Sequence, residues 1–387
     1  MALLVVERWV QRALALALCL AVLQLATPVA LVNAQLLQAS QVQFLQDCQT
    51  AWGQTLPGWG SSNPDCSSAK GITCDSSGMV LVMDLPYLNL KGPIPDSISS
   101  LRELSIIYLQ YNQLTGSIPT TLGVLTNLNH ISLVVNRLTG TIPAAIGNLA
   151  KLRSLSLSGN KLNGTIPAEI GNLAKLSSLY LATNQLNGTI PTAIGNLTNL
   201  QSLSLIGNQF SGTIPAAIGN LGKLSYLYFQ YNQFSGSIPA ALGMLTNLKS
   251  LYLSTNQLNG TIPTAIGNLA NLLILYLNNN QLTGPIPTTI GILTNLQQLY
   301  LQNNQLTDSF PTEIGMLTNL NRLILQYNQL NGSIPAALGM LTGLTHLSLS
   351  VNQLSGTIPA EISNLAKLNT LAHATGLQGR SNTEQRT

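Results

Sequence analysis

The feature that most constrains this chain is a period of 24 residues. Asparagine recurs at that spacing at eleven successive positions without one slip. A period this strict is typical of a solenoid, in which each repeat is one supersecondary unit that buries its apolar face only against its neighbours. The sequence therefore predicts an extended stack of similar rungs. The positions are Asn112, Asn136, Asn160, Asn184, Asn208, Asn232, Asn256, Asn280, Asn304, Asn328 and Asn352.

A single repeat predicts how one rung is built. Leu179 and Leu181 alternate with polar residues, which predicts a short strand with its leucines inward. Asn184 follows at the turn, where a side-chain amide can satisfy unpaired backbone groups from rung to rung. Gly188 permits a left-handed backbone, and Pro191 ends strand pairing. About twelve rungs at ~4.8 Å each give a solenoid on the order of 55 Å long.

The N-terminus is predicted to direct secretion. Arg8 and Arg12 precede an apolar run from Ala13 to Ala26, and residues 32–34 form a small-residue cleavage pattern. Residues 1–34 are therefore predicted to be a signal peptide and the product to be extracellular. The alternative is an uncleaved anchor at the cell surface, because the apolar stretch approaches the length of a membrane span.

Residues 35–78 carry no 24-residue repeat and are predicted to cap the first rung, since the inner face of a terminal repeat would otherwise meet water. Cys66 and Cys74 are close in sequence, which favours a disulfide between them in a secreted chain. Cys48 is then either free or paired with another molecule. The repeats are predicted to span residues 79–371, followed by a polar tail at 372–387.

The repeat motif LxxLxLxxNxLxGxIPxxIGxL resembles that of plant-type leucine-rich repeat proteins over roughly residues 56–371. That group includes receptor-like kinase ectodomains, receptor-like proteins and polygalacturonase inhibitors. Trp59, Asp65-Cys66 and residues 71–75 also resemble the cap of this family. The resemblance implies a curved α/β solenoid, with a parallel sheet on its concave face and a disulfide-bonded cap. It also implies a role in surface signalling, defence or cell-wall inhibition, with a possible membrane co-receptor.

The chain departs from the family pattern in several places. Leu88 stands at the first ladder position, and in a late rung Asp308 replaces the glycine and Phe310 the isoleucine. Aspartate tolerates left-handed backbone better than most residues, so a local distortion is expected at Asp308 and not a break. The tryptophan usual between the paired cysteines and the C-terminal cysteine cap are lacking. A truncated receptor-kinase ectodomain is therefore one alternative.

The tyrosines are confined to one side of the predicted rungs. All eleven lie one, two, four or six positions before a ladder site, where side chains point outward from the strands onto the concave face. Tyrosine combines a large apolar face with a hydroxyl at low entropic cost, which suits a binding surface. The predicted ligand-binding residues are Tyr108, Tyr180, Tyr226, Tyr228, Tyr231, Tyr252, Tyr276, Tyr300, Tyr327 and Arg322. Their expected exposed companions are Gln230, Ser254, Asn278 and Gln302.

The resulting hypothesis is non-catalytic recognition of an extracellular protein, peptide or polysaccharide. Nucleic acid is excluded as a partner, because the net charge of +4 is small and scattered. His130 and His346 lie nine rungs apart, ~43 Å, and Asp84 lies two rungs from His130, ~10 Å. Neither arrangement supports a nucleophilic triad, and no cofactor or metal site is predicted.

Two further patterns lie away from the strands. Sequons predict glycosylation at Asn163, Asn187, Asn196, Asn259 and Asn331. Thr141, Thr165, Thr189, Thr213 and Thr261 recur once per rung. Such an array is the basis of an alternative function, a structural cell-wall or ice-interacting solenoid. Basic residues on the early rungs, Lys151, Arg153, Lys161 and Lys175, could hold an anionic polysaccharide.

Overall fold

A computed structural model describes residues 37–60 and 64–372 of the 387-residue chain. The predicted signal peptide and nearly all of the predicted polar tail lie outside the described residues. Among the residues described, no helix is long and apolar enough to cross a bilayer.

The N-terminal cap is built around one α-helix, Ala39–Trp52, which ends where Gly53 adopts a left-handed conformation. Its Trp52 indole N–H donates to the carbonyl of Pro93, 2.9 Å away, and so ties the helix to the first rung. The predicted disulfide between Cys66 and Cys74 is confirmed. Cys48 is a buried free thiol, and burial raises its pKa, so the structure favours an unreactive core residue over a partner to another molecule.

The main sheet has fourteen strands and is parallel except for its first pair. Each strand pairs with its neighbour 24 residues on, so Leu203 lies beside Leu227 and the leucines stack into one core. This confirms the predicted solenoid. The strands are Ile72–Cys74, Val80–Asp84, Ile106–Tyr108, His130–Ser132, Ser154–Ser156, Ser178–Tyr180, Ser202–Ser204, Tyr226–Tyr228, Ser250–Tyr252, Ile274–Tyr276, Gln298–Tyr300, Arg322–Ile324, His346–Ser348 and Thr370–Ala372.

The ladder asparagines join successive rungs as predicted. The Asn280 side chain donates to the carbonyls of Leu277 in its own rung and Leu253 in the preceding rung, each 3.0 Å away. Its Oδ1 accepts the N–H of Leu258, also in the preceding rung, at 3.1 Å. Asn112 bonds in the same way to the first rung, including the N–H of Leu88 at 3.0 Å. Although leucine occupies the first ladder position, the turn of that rung is therefore held by hydrogen bonds from Asn112 in the next rung.

Each rung returns along its far side through a short 3-10 helix. Pro191 precedes one of them, and its carbonyl accepts the N–H of Ile194 at 3.0 Å. Gly195 is required there, since a Cβ would come within 2.6 Å of the Ala217 carbonyl oxygen in the next rung. The helices are Asp96–Ser100, Thr120–Val124, Ala144–Asn148, Ala168–Asn172, Thr192–Asn196, Ala216–Asn220, Ala240–Met244, Thr264–Asn268, Thr288–Ile292, Thr312–Met316, Ala336–Met340 and Ala360–Asn364.

A second parallel sheet of seven strands, here called the side sheet, forms after the ladder asparagines. Its strands are Asn163–Gly164, Gln185–Gly188, Gln209–Gly212, Gln233–Ser237, Gln257–Gly260, Gln281–Gly284 and Gln305–Leu306, and a separate pair joins Lys91–Gly92 to Gln113–Leu114. The side sheet ends beside Asp308, whose φ of 65° matches the 71° of Gly188. Phe310 stays buried, so the predicted local change without a break is confirmed.

Candidate functional site

The outward row of the main sheet, here called the strand face, carries a continuous column of tyrosines. Strand register places Tyr228, Tyr252, Tyr276 and Tyr300 beside one another on four successive rungs. Their ring centroids are 5.1, 4.5 and 4.3 Å apart in that order. These separations lie within or close to the range of favourable aromatic pairs. The column is therefore a single packed aromatic surface.

Burial makes three phenols of this column, those of Tyr228, Tyr252 and Tyr276, more resistant to ionisation. Burial is the main cause that raises the pKa of Tyr252 to about 12, and the phenol of Tyr300 is the second cause. The pKa values of Tyr228 and Tyr276 are raised further, again chiefly by burial and next by adjacent phenols. The hydroxyls of these three tyrosines stay protonated well into the alkaline range and act as hydrogen-bonding groups.

Polar residues fix the C-terminal end of the column. The hydroxyl of Tyr276 donates to Oε1 of Gln298. The Arg322 guanidinium donates to the hydroxyl of Tyr300 at 3.2 Å and otherwise lies exposed. Arg322 therefore places one cation at the edge of a neutral aromatic surface, where a carboxylate on a ligand could meet it.

The exposure of a small residue beside the column differs from the prediction made from the sequence. Ser254 was expected to be exposed, but only 6% of it is accessible, and the neighbouring Ser250 is equally buried. Gln230 and Gln302 are half-buried, and their Oε1 atoms, like that of Gln110, are buried without a hydrogen-bond partner among the described residues. A buried acceptor left unpaired costs roughly 1–3 kcal/mol. Each of these oxygens is itself buried, so a ligand could reach it only if the glutamine side chain moved.

The other predicted ligand-binding tyrosines surround the column unevenly. Tyr226 stacks on Tyr228 with ring centroids 6.2 Å apart, and Tyr180 is separated from the column by the small Ser204. Tyr231 and Tyr327 lie at the rim, and each is at least 40% exposed. Tyr108 is farther away, because the strands containing Ser132, Ser156 and Tyr180 intervene before Ser204. Tyr108 is therefore not brought together with the others.

The titratable groups expected not to cooperate are indeed apart. Asp84 pairs in register with Tyr108, whereas His130 begins the strand after that one. Burial lowers the pKa of His130, and the nearby Arg153 lowers it further. Within residues 37–60 and 64–372, no group of three or more His, Cys, Asp or Glu side chains is arranged to hold a metal ion.

The sequon asparagines and the threonine column lie away from the strand face. All five sequon asparagines are exposed, and Asn163, Asn187 and Asn259 belong to side-sheet strands. The five threonines are also exposed, just beyond the side-sheet strands. A Cβ on Gly188 would come within 2.8 Å of the Thr165 γ-methyl group, so each such methyl fills the space left by the next rung's glycine.

Comparison with known proteins shows which protein family has repeats of this kind. Three related protein-family models match parts of this chain. They are described as "Leucine-rich repeat region" (residues 168–281), "Leucine rich repeat" (residues 102–162 and 126–186) and "Leucine Rich Repeat" (residues 271–293, 295–317, 319–341 and 343–365). The chain is also 31% identical to the Arabidopsis receptor kinase HAESA, solved with the peptide hormone IDA and the co-receptor SERK1. That match covers 88% of this chain and 70% of the matched chain in that structure, with a TM-score of 0.57. The chain belongs to the leucine-rich repeat family.

Other similar proteins extend the comparison. The leucine-rich repeat protein in the structure of PEPR1-AtPEP1 is 35% identical with a TM-score of 0.83, over 89% of this chain and 49% of that one. A plant ice-binding protein is 25% identical with a TM-score of 0.56, over 88% of this chain and 96% of that one. A probable leucine-rich repeat receptor-like protein kinase of Arabidopsis thaliana is 39% identical over 70 residues, 18% of this chain and 7% of the kinase. The chain thus spans a small part of that kinase and about half of the matched chain in the PEPR1-AtPEP1 structure.

Proposed function

We propose that this leucine-rich repeat protein is a non-catalytic extracellular recognition module that binds a peptide or protein segment on its strand face. The observation that carries the proposal is the continuous column from Tyr228 to Tyr300. A half-buried aromatic column of this kind offers apolar area together with hydroxyls whose positions are partly fixed by their neighbours. Such pre-organisation lowers the entropic cost of binding.

Two further observations support a peptide or protein ligand at this face. Arg322 adds one cation at the end of the column, suited to a single carboxylate. The HAESA structure contains a peptide hormone and a co-receptor, so a peptide ligand and a membrane co-receptor are the partners we propose here. Secretion, or display at the cell surface through an uncleaved N-terminal anchor, would bring the module to such ligands, and a truncated receptor ectodomain would use the same face.

The decisive experiment is affinity capture from the native extracellular matrix with the wild type and the variant Tyr252→Ala/Tyr276→Ala. Central aromatic residues in interfaces cost about 2 kcal/mol or more when truncated. We expect the captured ligand to bind the variant at least about 30-fold more weakly.

A matched control comes from the stacked pair Tyr87 and Tyr111, whose centroids are 4.5 Å apart at the cap end, outside the column. Tyr87→Ala/Tyr111→Ala removes the same atoms, and we expect it to leave affinity within about threefold of the wild type. Equal affinity of the column variant and the wild type, with unfolding curves unchanged, would disprove the proposed site.

A second candidate function, ice binding, is favoured by the side sheet. Hydroxyl residues occupy six successive rungs beside it without interruption: Thr141, Thr165, Thr189, Thr213, Ser237 and Thr261. All are exposed, and they recur at the rung spacing. The similarity to a plant ice-binding protein over nearly its whole length supports testing this activity.

The test is thermal hysteresis and inhibition of ice recrystallisation by the purified protein. Thr189→Tyr should abolish both effects, because the bulky ring interrupts the array, whereas Thr198→Tyr, at an exposed position in another part of the repeat, should not. Both variants should be examined without N-glycans, since Asn163 and Asn187 adjoin the array. No thermal hysteresis in the wild type would exclude this candidate.

A further inference from the structure

A continuous polar groove runs along the starts of the main-sheet strands, beside the strand face. One part, about 450 Å³, is lined by Gln201, Lys223, Ser225, Asn247, Lys249 and Asn271. The adjoining part, about 260 Å³, is lined by Arg153, Lys175, Ser177, Asn199, Gln201 and Lys223. Because Gln201 and Lys223 belong to both parts, the groove is continuous across several rungs.

The groove concentrates positive charge without acidic compensation. Four cations line it, and no carboxylate does. From Arg153 to Lys249 the groove crosses four rung intervals, ~19 Å at the strand spacing. Between Lys175 and Asp308 the sequence contains no Asp or Glu at all, and its only charged residues are Lys223 and Lys249. The effect of this charge reaches adjacent groups, since Arg153 contributes to the lowered pKa of His130.

Hydrogen bonds made by asparagine side chains fix several of the residues that line the groove. Asn199 donates to the carbonyl of Ala174 at 2.8 Å, and its Oδ1 accepts the Lys223 ammonium at 2.7 Å. Asn247 and Asn271 are anchored in the same way, to the carbonyls of Gly222 and Thr246. The position of the Lys223 charge is therefore partly fixed before any ligand arrives.

We propose that this groove binds a linear polysaccharide that bears carboxylates, of the uronic-acid class. The ligand must run along the solenoid axis with several negative charges, because the four cations lie on four different rungs between Arg153 and Lys249. The walls are ammonium, guanidinium, amide and hydroxyl groups, which match sugar hydroxyls and carboxylates. No apolar side chain lines either part, so the groove lacks the pockets that the side chains of an acidic peptide would occupy. The site is separate from the tyrosine column and independent of the function proposed above.

The experiment measures binding of the full chain to polygalacturonate by calorimetry, with neutral dextran and polyglutamate as comparison polymers. A single exposed charge pair contributes only modestly to binding, so two lysines are changed together. We expect Lys223→Gln/Lys249→Gln to weaken polygalacturonate binding about tenfold, and the wild type to bind more weakly as ionic strength rises past about 0.15 M. Lys91→Gln/Lys161→Gln makes the same change in net charge at exposed lysines outside the groove and should change affinity less than about twofold.

The outcomes are distinct. Unchanged affinity of the Lys223/Lys249 variant, or binding that salt does not weaken, would overturn the site. Polyglutamate binding as tightly as polygalacturonate would overturn the assignment to a polysaccharide, and equal binding to dextran would overturn the role of charge. Tyr252→Ala/Tyr276→Ala should bind polygalacturonate like the wild type, so failure of this proposal and failure of the peptide site can be told apart.

Discussion

The asparagine ladder makes a quantitative prediction about stability, which Asn280→Ala tests. The substitution removes an acceptor 3.1 Å from the N–H of Leu258, a fully buried residue, and donors to the carbonyls of Leu253 and Leu277. A buried N–H left unpaired costs roughly 1–3 kcal/mol, and each further bond contributes about 0.5–1.5 kcal/mol net. We therefore expect the free energy of unfolding to fall by about 3 kcal/mol.

Urea unfolding measures the loss, and hydrogen exchange locates it. The Leu258 amide should lose protection before amides in distant rungs, because coupling in a repeat array is strongest between neighbours. Gln281→Ala, an exposed neighbour, is the control and should change stability by no more than about 0.5 kcal/mol. If the two variants lose stability equally, or if Leu258 stays as protected as in the wild type, the ladder does not support the preceding turn as argued here.

Three other predictions follow from local conformation and ionisation. Asp308→Gly should raise the free energy of unfolding by up to about 1 kcal/mol in urea titrations, since glycine adopts the φ of 65° without steric cost; a loss would show that the carboxylate has a structural role. Folding raises the pKa of Tyr252 to about 12, from about 10 in the unfolded chain. The neutral phenol therefore contributes fully to the free energy of unfolding below about pH 10, and this contribution is lost as the pH rises towards about 12. Urea unfolding at stepped alkaline pH should record that fall, and Tyr252→Phe should reduce it. Arg153→Gln should raise the pKa of His130, measured by NMR titration of its ring protons; a fall would contradict the assigned cause.

The sequence predicted those features that repeat. A period of 24 residues determined the rungs, the ladder and the tyrosine column, because each depends only on distance from an asparagine. It also predicted the behaviour of Asp308, since few residues other than glycine tolerate that backbone conformation. The family resemblance and the solved relatives agree with this part.

What the sequence could not predict depends on contacts between several rungs. Ser254 is only 6% accessible, whereas its place in the repeat predicts an exposed side chain. The groove draws its walls from residues between Arg153 and Asn271, several repeats apart, and it excludes Lys161, which the sequence grouped with the other early cations. Whether an acceptor such as the side-chain oxygen of Gln302 has a hydrogen-bond partner depends on side-chain conformations, which the sequence does not give.

The direction of the asparagine bonds has a consequence for how the chain folds during synthesis. Each ladder side chain completes the turn of the rung before it, as Asn112 does for Leu88 and Leu90. A rung emerging from the ribosome therefore stays unfinished until the next 24 residues have followed. The nascent chain should order one rung behind synthesis, starting from the cap. Limited proteolysis of stalled chains differing by one repeat would reveal this lag as a constant unprotected segment about one rung long.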